Sequence, residues 1–536
     1  MNATGSQSIG KKLLFAVLVL GMGDVVGKAI GLIITVVRTR TLTTAEFGGF
    51  GFILQTVSLF AQVAGFSLGL AATRYIALHR NTEPGKARDV AQFVLLLGLA
   101  TSTVAATLML LLAPQLASSV PGLTGPLRIS VLVLLSQTMS GLVLGVLVGL
   151  ERFRMVTIAT VSQNVVMLVL TIWWAPLFGL TGTLYAMALG FTVALAIALW
   201  ASRDLFLSSS IHWPRIWSHR AIIWEFCLPS LLSAVIMMPA SWAVMAMMAS
   251  QHGSDLELMA GLLAVPPNWL AGMGMIYHYS TGLRQLAIFY AADQLRPLLY
   301  LLSNIVAQPM MPIVTSQIRH TLDPDATPEE RETARNKAMN ATLRSYQLVV
   351  CLVLPAHAVL AYSGPYIMSM FGRTFASEWN VFLLVLALGA FSAITGLMGT
   401  VLLAQGRMWL SNILGLVFGL FLIGFCYFLM DWGAVGLGWA YLLTTIATFC
   451  ISGTVLYQSG LLAWQEVLLI VCSLGWILLI SLGAWWLPSS WRLTAIPLAF
   501  LLTILILFLM MRGPMMHVLR LVWRRASRML GITQSA

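Results

Sequence analysis

Charge is what this chain has least of. Only 9% of its 536 residues are Asp, Glu, Lys or Arg, against about a quarter in an ordinary soluble domain. A chain this long with so few charges cannot clothe a soluble surface. Its residues are 59% hydrophobic and its mean hydropathy is +0.89, which identifies an all-α polytopic membrane protein. Cysteine is also sparse. Cys227, Cys351, Cys426, Cys450 and Cys472 lie scattered through apolar stretches with no CxxC pair, which speaks against disulfides and metal clusters. No HExxH or GxxxxGK[ST] occurs, and the single GxSxG, "GFSLG" (65–69), lies inside an apolar span. The segment "GMGDVVGKA" imitates a phosphate loop but puts Met22 where the first glycine belongs. Extramembrane segments are too short for a catalytic domain, so the expectation is no enzyme, no catalytic residue and no cofactor.

A hydrocarbon core about 30 Å thick takes roughly 20 apolar residues per helix. On that measure the chain divides into about fourteen spans: 12–37, 47–73, 89–113, 128–150, 155–177, 180–201, 223–250, 285–317, 346–370, 379–404, 409–430, 434–457, 465–487 and 493–512. The first imitates a secretory signal but has no small-residue cleavage site, and reads as a retained helix. With the N-terminus inside, basic residues divide 22 inside to 6 outside, leaving Lys28 and Arg296 within helices. Both termini are therefore expected to be cytoplasmic. The net charge of +12 then suits cytoplasmic loops and anionic lipid rather than nucleic acid. The apolar stretch 258–277 is interrupted by Pro266-Pro267. Counting it as a span would invert everything after it, so 251–283 reads as an external insertion.

An internal repeat accompanies these spans. "GLVLGVLVGLERF" (141–153) lines up with "GLMGTVLLAQGRM" (396–408), and "LTGTLYA" (180–186) with "AVGLGWA" (434–440). The expected organisation is an N-lobe over 1–205, a cytoplasmic linker at 206–222 and a C-lobe over 223–457. Two further helices at 458–512 and a basic cytoplasmic tail at 513–536 complete it. Six helices per repeat is an even number, so the two lobes should insert in parallel.

Within this apolar chain "LGMGDVVGKAIGLII" (20–34) carries Asp24 and Lys28 four residues apart. Each charge costs about 2.5–3.5 kcal/mol at the centre of a membrane helix. An exposed i,i+4 ion pair returns only about 0.3–0.5 kcal/mol, so the pair must face something polar. Arg38 extends the same face. Helix 2 carries Gln55, Ser58, Gln62, Gly65, Gly69 and Thr73 at helical spacing, and helix 8 carries Asp293, Arg296, Tyr300, Asn304 and Gln308. These stripes suggest a water-filled cavity. The competing reading is a staple, in which each ion pair merely ties one helix to a neighbour. His278 and His357 are more often helix contacts than titrating groups. The Met-rich run 237–248 reads as adaptable packing. Trp269, Tyr277 and Tyr279 suit sugar stacking and an ordinary membrane interface equally well.

"RTRTLTTAEFGGFGFILQ" followed by "FSLGLAATRYIA", "LAIFYAADQLRPLLYLLSNIVAQPMMPIVTS" (286–316) and "LLAQGRMWLSNILG…GAVGLGWAYLLTT" resemble bacterial polysaccharide flippases of the Wzx type. These belong to the multidrug/oligosaccharidyl-lipid/polysaccharide (MOP) exporter superfamily. The resemblance covers about residues 10–460. It implies two six-helix lobes around a cavity that opens alternately to each side, in the bacterial inner membrane. It implies as substrate a polyprenyl-pyrophosphate-linked oligosaccharide, carried outward for surface polysaccharide such as O-antigen. Polymerase and glycosyltransferases are the implied protein partners. By position Lys28 and Arg296 would hold the pyrophosphate, with Asp24 and Asp293 as counter-ions or coupling groups. Arg38, Gln55, Gln62, Tyr300 and Asn304 would line the cavity. The insertion 251–283 departs from the family pattern. Coupling to protons, sodium or the membrane potential stays open. The rivals are a cation-coupled multidrug exporter of the same superfamily, which should present an acidic cavity, and a membrane polysaccharide polymerase or ligase, which should carry a large external catalytic loop.

Overall fold

A computed structural model describes residues 3–206, 220, 222–250, 281–306, 327–404, 408–458 and 462–510, apart from the single residues 66, 81, 119, 121, 305 and 463. The expected insertion 251–283, linker 206–222 and tail 513–536 thus lie mostly or wholly outside the described residues, as does His278. Every regular element described is helical. Nine of these helices are long and apolar enough to cross a membrane. In lipid this follows from the backbone: a helix satisfies its own N–H and C=O groups where no water can.

In chain order the helices are α1 (Ala3–Thr41), α2 (Thr44–Gly65), α3 (Leu68–His79), α4 (Pro84–Leu116), α5 (Thr124–Gly149), α6 (Phe153–Ala201), α7 (Arg203–Phe206) and α8 (Leu228–Ser250). There follow α9 (Thr281–Asp293), α10 (Pro328–Tyr362), α11 (Gly364–Phe371), α12 (Arg373–Ser377), α13 (Trp379–Ala404) and α14 (Met408–Leu429). The series closes with α15 (Gly433–Gln458), α16 (Trp464–Trp486) and α17 (Ser489–Met510). Each of the fourteen expected spans coincides with helix, the eighth as far as residue 306. Three spans differ in detail. The second is broken between α2 and α3, where Ser67 has φ 53°. The eighth is interrupted by a turn at 294–295. The ninth begins at 328 rather than 346, because Thr327 and Glu330 form a reciprocal capping box that starts α10 early.

The chain forms two compact units, Met1–Tyr290 and Ala291–Ala536. In the first, α1 lies along α6 and α3 lies along α5. Small residues set these distances. A Cβ on Gly145 would come 2.4 Å from the Gly69 carbonyl oxygen, so α3 and α5 meet backbone to backbone. Thr73 Oγ1 donates across the same seam to the Gly145 carbonyl at 3.0 Å. The α2–α3 break is also tied down: Thr101 Oγ1 on α4 donates to the Ala64 carbonyl at 2.7 Å. Beyond α6, Arg152 Nη1 donates to Asp204 Oδ1 at 3.0 Å, and this hydrogen bond holds the Asp204 carboxyl below its ordinary range. In the second unit, α16 and α17 pack on α10, and Trp476 Nε1 donates to Thr503 Oγ1 at 3.1 Å.

The internal repeat has a local structural signature. Gly179 (φ 56°, ψ −133°) kinks α6, and Gly433 (φ 60°, ψ −136°) joins α14 to α15 in almost the same conformation. Three residues later Gly182 and Gly436 each sit against a carbonyl of the preceding helix. A Cβ would lie 2.3 Å from Trp174 O in one case and 1.8 Å from Leu429 O in the other. These four glycines fall within or one residue before the repeat read from "LTGTLYA" and "AVGLGWA".

That backbone region is open only to glycine. Gly433→Ala should therefore destabilise the protein by about 1–3 kcal/mol, read as a lower thermal midpoint in detergent. Gly424→Ala, whose Cβ would meet nothing within 4 Å, should leave the midpoint unchanged or raise it.

Candidate functional site

The first unit contains a polar cavity of about 750 Å3. Its walls come from α2, α3, α5, α6 and α8. Ser58, Gln62 and Gly65 descend one side of α2, and Ser67 sits at the break into α3. Gln137, Thr138 and Ser140 come from α5, Gln163 and Phe191 from the two arms of α6, and Met238 from α8. Four members of the polar stripe expected on helix 2 (Ser58, Gln62, Gly65 and Gly69) thus reach one cavity. Thr73 is used instead in the α3–α5 seam. Gln55, two turns before Gln62, is half-buried and does not line this cavity.

Lys28 and Asp24 form the expected pair, Nζ to Oδ2 at 3.1 Å, with side chains 28% and 51% exposed. The neighbouring face of α1 is held close to α6. A Cβ on Gly23 would lie 2.6 Å from Thr157 Cγ2, and one on Gly27 would lie 3.2 Å from Asn164 Nδ2. Both charges therefore ride on a helix whose small residues fix it in place, while the carboxylate itself stays accessible. Arg38, further along α1, is buried, with its guanidinium carbon 4.4 Å from the centroid of the Phe50 ring. Its Nε and Nη2 have no hydrogen-bond partner. Phe47 and Tyr290 pack against one another and against Phe50 around this group.

In the second unit Asp293 ends α9 and Arg296 opens the helical stretch 296–304. Pro297 has no N–H to donate into the helix ladder. The Leu298 amide bonds the Leu295 carbonyl at 3.1 Å instead. The chain thus unwinds between the two charges, and they close on each other across the break. Arg296 Nε lies 2.9 Å from Asp293 Oδ1 and Nη2 donates to Oδ2 at 3.2 Å. This two-point contact leaves the side chains 31% and 22% exposed. The stem of Arg296 runs over Gly389 of α13, where a Cβ would come 3.0 Å from Arg296 Cγ. Tyr300 and Tyr441 lie within electrostatic reach of the guanidinium. Asn304 is exposed, further along the same helical stretch.

His357 is an ordinary helix contact: its Nε2 sits 3.1 Å from Ser481 Oγ and 3.3 Å from the Ile477 carbonyl, joining α10 to α16. Within the Met-rich run, Trp242 Nε1 donates to Thr56 Oγ1 at 3.0 Å, and its ring lies 6.2 Å from Phe52. Met248 is fully buried there and Met238 reaches the cavity.

Sequence reasoning missed Gln137, Gln163 and Glu466. The two glutamines stand mid-span in "SQT" and "SQN", and three amides in three successive or near-successive spans was the signal available. Glu466 is completely buried in the first turn of α16, where the helix dipole favours an anion. At the edge of its span nothing in the sequence distinguishes it from an interfacial charge.

A family model described as "Polysaccharide biosynthesis protein" matches residues 13–315, more than half of the chain. The chain belongs to that family. Among solved structures it is similar to one titled lipid II flippase MurJ in an inward closed conformation, with TM-score 0.65 and 12% identity, covering 92% of this chain and 99% of that one. It is also similar to an inward-facing multidrug resistance MATE family transporter of the MOP superfamily, with TM-score 0.58 and 17% identity, covering 80% and 95% respectively. No curated protein sequence matches significantly. The resemblance drawn from the sequence motifs is borne out by the family match, and the fold is the one shared with these two transporters.

The packing of Gly389 against Arg296 yields a test. Gly389→Ala should push the Arg296 stem and cost up to about 1–3 kcal/mol if α13 cannot yield. Gly396→Ala on the same helix, with open space around its Cβ, should leave the thermal midpoint unchanged.

Proposed function

We propose that this protein is a flippase that carries a polyprenyl-pyrophosphate-linked oligosaccharide from the inner to the outer leaflet of a bacterial cytoplasmic membrane, by alternating access, for surface polysaccharide assembly. The observation that carries the reading is the Asp293–Arg296 pair at an unwound point of a membrane helix, joined by one hydrogen bond and one close ion contact yet partly accessible. A guanidinium in a low-dielectric site binds phosphate through charge-assisted hydrogen bonds. Asp293 lowers the cost of holding that cation when no phosphate is present, and releases it when one arrives. Lys28 with Asp24 repeats the device in the first unit. The family description and the fold shared with a lipid II flippase support the same class of cargo.

The energetics suit a carrier without ATP. Moving a head group of about −2 outward runs with a potential that is negative inside, at about 2.3 kcal/mol per charge per 100 mV. Protons or sodium remain available as coupling ions through Asp24 or Asp293. Both termini face the cytoplasm in this scheme, and polymerase and glycosyltransferases act on either side of the step. The second reading is export of organic cations, favoured by the half-exposed carboxylate of Asp24 and the fold shared with a MATE transporter.

Native mass spectrometry of the gently solubilised protein tests the choice, with wild type beside Arg296→Ala. A bound mass matching a polyprenyl-pyrophosphate glycan, lost in the variant, is expected. Phospholipid alone, unchanged by the substitution, would contradict the reading and send the protein to an organic-cation transport assay.

A further inference from the structure

The polar cavity of the first unit has a chemistry that the charged pairs do not explain. None of its lining residues is Asp, Glu, Lys or Arg. In their place are three carboxamides, one each from α2, α5 and α6: Gln62, Gln137 and Gln163. Among the described residues none of the three makes a side-chain hydrogen bond. Amides that glue membrane helices bond across the interface they glue. These do not, and each offers two donors and a carbonyl acceptor to whatever fills the space.

Two hydroxyls repeat the anomaly. Most serines and threonines of these helices fold back on a carbonyl one turn earlier, as Ser136 does to Leu132 at 2.8 Å and Thr160 to Val156 at 3.0 Å. Thr138 and Ser140 are 7% and 1% exposed, and their Oγ atoms have no partner. Both atoms are closed to solvent, so they belong to the wall behind the cavity surface, where a bare hydroxyl costs free energy. The α2–α3 break adjoins the cavity through Ser67, and irregular backbone at membrane depth is tolerated where it lines a cavity.

The remaining walls are apolar, with Phe191 and Met238 among them. A pocket of neutral donors and acceptors mixed with an aromatic face fits a ligand that alternates hydroxyls with C–H surface. A phosphate would want a cation here, and an organic cation would want a carboxylate. The volume of about 750 Å3 falls within the usual range of roughly 300–1,000 Å3 for small-molecule sites.

We infer that this cavity is a glycan subsite, in which Gln62, Gln137 and Gln163 take the neutral sugar rings of the cargo while its pyrophosphate is held elsewhere. The inference rests on the flippase reading and adds to it the place where sugar identity is sensed. Gln137 and Gln163 then determine which repeat unit is carried, without contributing to the binding of the lipid phosphate.

The test compares full-length wild type with Gln137→Leu and Gln163→Leu in nanodiscs. The probes are bare polyprenyl pyrophosphate and a synthetic panel of the same lipid bearing neutral mono-, di- and trisaccharides. Wild type should bind at least one glycosylated probe more tightly than the bare one. Each variant should lose about tenfold of that affinity, the scale of one or two hydrogen bonds, and keep its affinity for bare lipid. Thermal midpoints close to wild type are expected, because neither amide makes a side-chain hydrogen bond among the described residues for the leucine to remove. A wild type that binds bare lipid but prefers no glycosylated probe would overturn the subsite and leave the flippase reading standing. Equal weakening of bare and glycosylated probes would overturn it too. A wild type that binds no polyprenyl pyrophosphate at all would instead overturn the flippase reading. Binding of glycans that is unchanged by either variant but depends on sodium would reassign the cavity to a cation.

Discussion

A charged or polar group inside a hydrocarbon layer must find a partner, face water or serve a ligand, and the organisation of this protein follows from how each such group meets that demand. The backbone meets it through helices, which are the only regular elements among the described residues. Most hydroxyls meet it by bonding their own helix. Two ion pairs meet it locally, Asp24 with Lys28 within one turn and Asp293 with Arg296 across a proline-induced break. Among the described residues some groups are met in none of these ways: buried polar atoms of Arg38, Thr138, Ser140 and Thr171 have no partner, and Gln62, Gln137 and Gln163 open onto one cavity without a side-chain hydrogen bond. A protein that needed these positions only for stability would be better served by leucine there.

In the proposed function the two kinds of polar site divide the work by chemistry. There the ion pairs supply cations whose carboxylate partners exchange for phosphate. The cavity supplies neutral hydrogen-bonding groups and an aromatic wall. A lipid-linked oligosaccharide presents both chemistries, a dianionic link and a string of hydroxylated rings, and a single carrier must desolvate each in turn. Glycines hold the geometry: Gly23 and Gly27 seat α1 on α6, Gly145 seats α5 on α3, and Gly389 makes room for the Arg296 stem.

Much of this was legible in the sequence because a membrane makes hydropathy decisive. The span at 155–177 and the one at 180–201 were separable from residue pattern alone, and Gly179 is the residue that parts them. The stripe on helix 2 led to Gln62, and the charged spacing on helix 8 led to the Asp293–Arg296 pair. The breaks were not legible. A window of about 20 residues averages over Ser67 and over the turn at 294–295, whose conformations depend on neighbours such as Thr101 and on the single missing N–H of Pro297. Gln137 and Gln163 escaped notice because each is one amide in a span of leucine and valine, and only the fold brings them to one cavity. Glu466 escaped because its burial depends on tertiary packing of α16.

The central claim is that charge is placed in these helices for the cargo and not to fasten one helix to another. The direct measurement removes the Asp293–Arg296 pair as a whole. Asp293→Asn with Arg296→Gln leaves no lone charge behind, and replacing a buried pair by neutral groups is commonly tolerated. The account predicts a double variant that inserts and melts close to wild type but fails to move a polyprenyl-pyrophosphate oligosaccharide across proteoliposomes. Transport at the wild-type rate by that variant would contradict it.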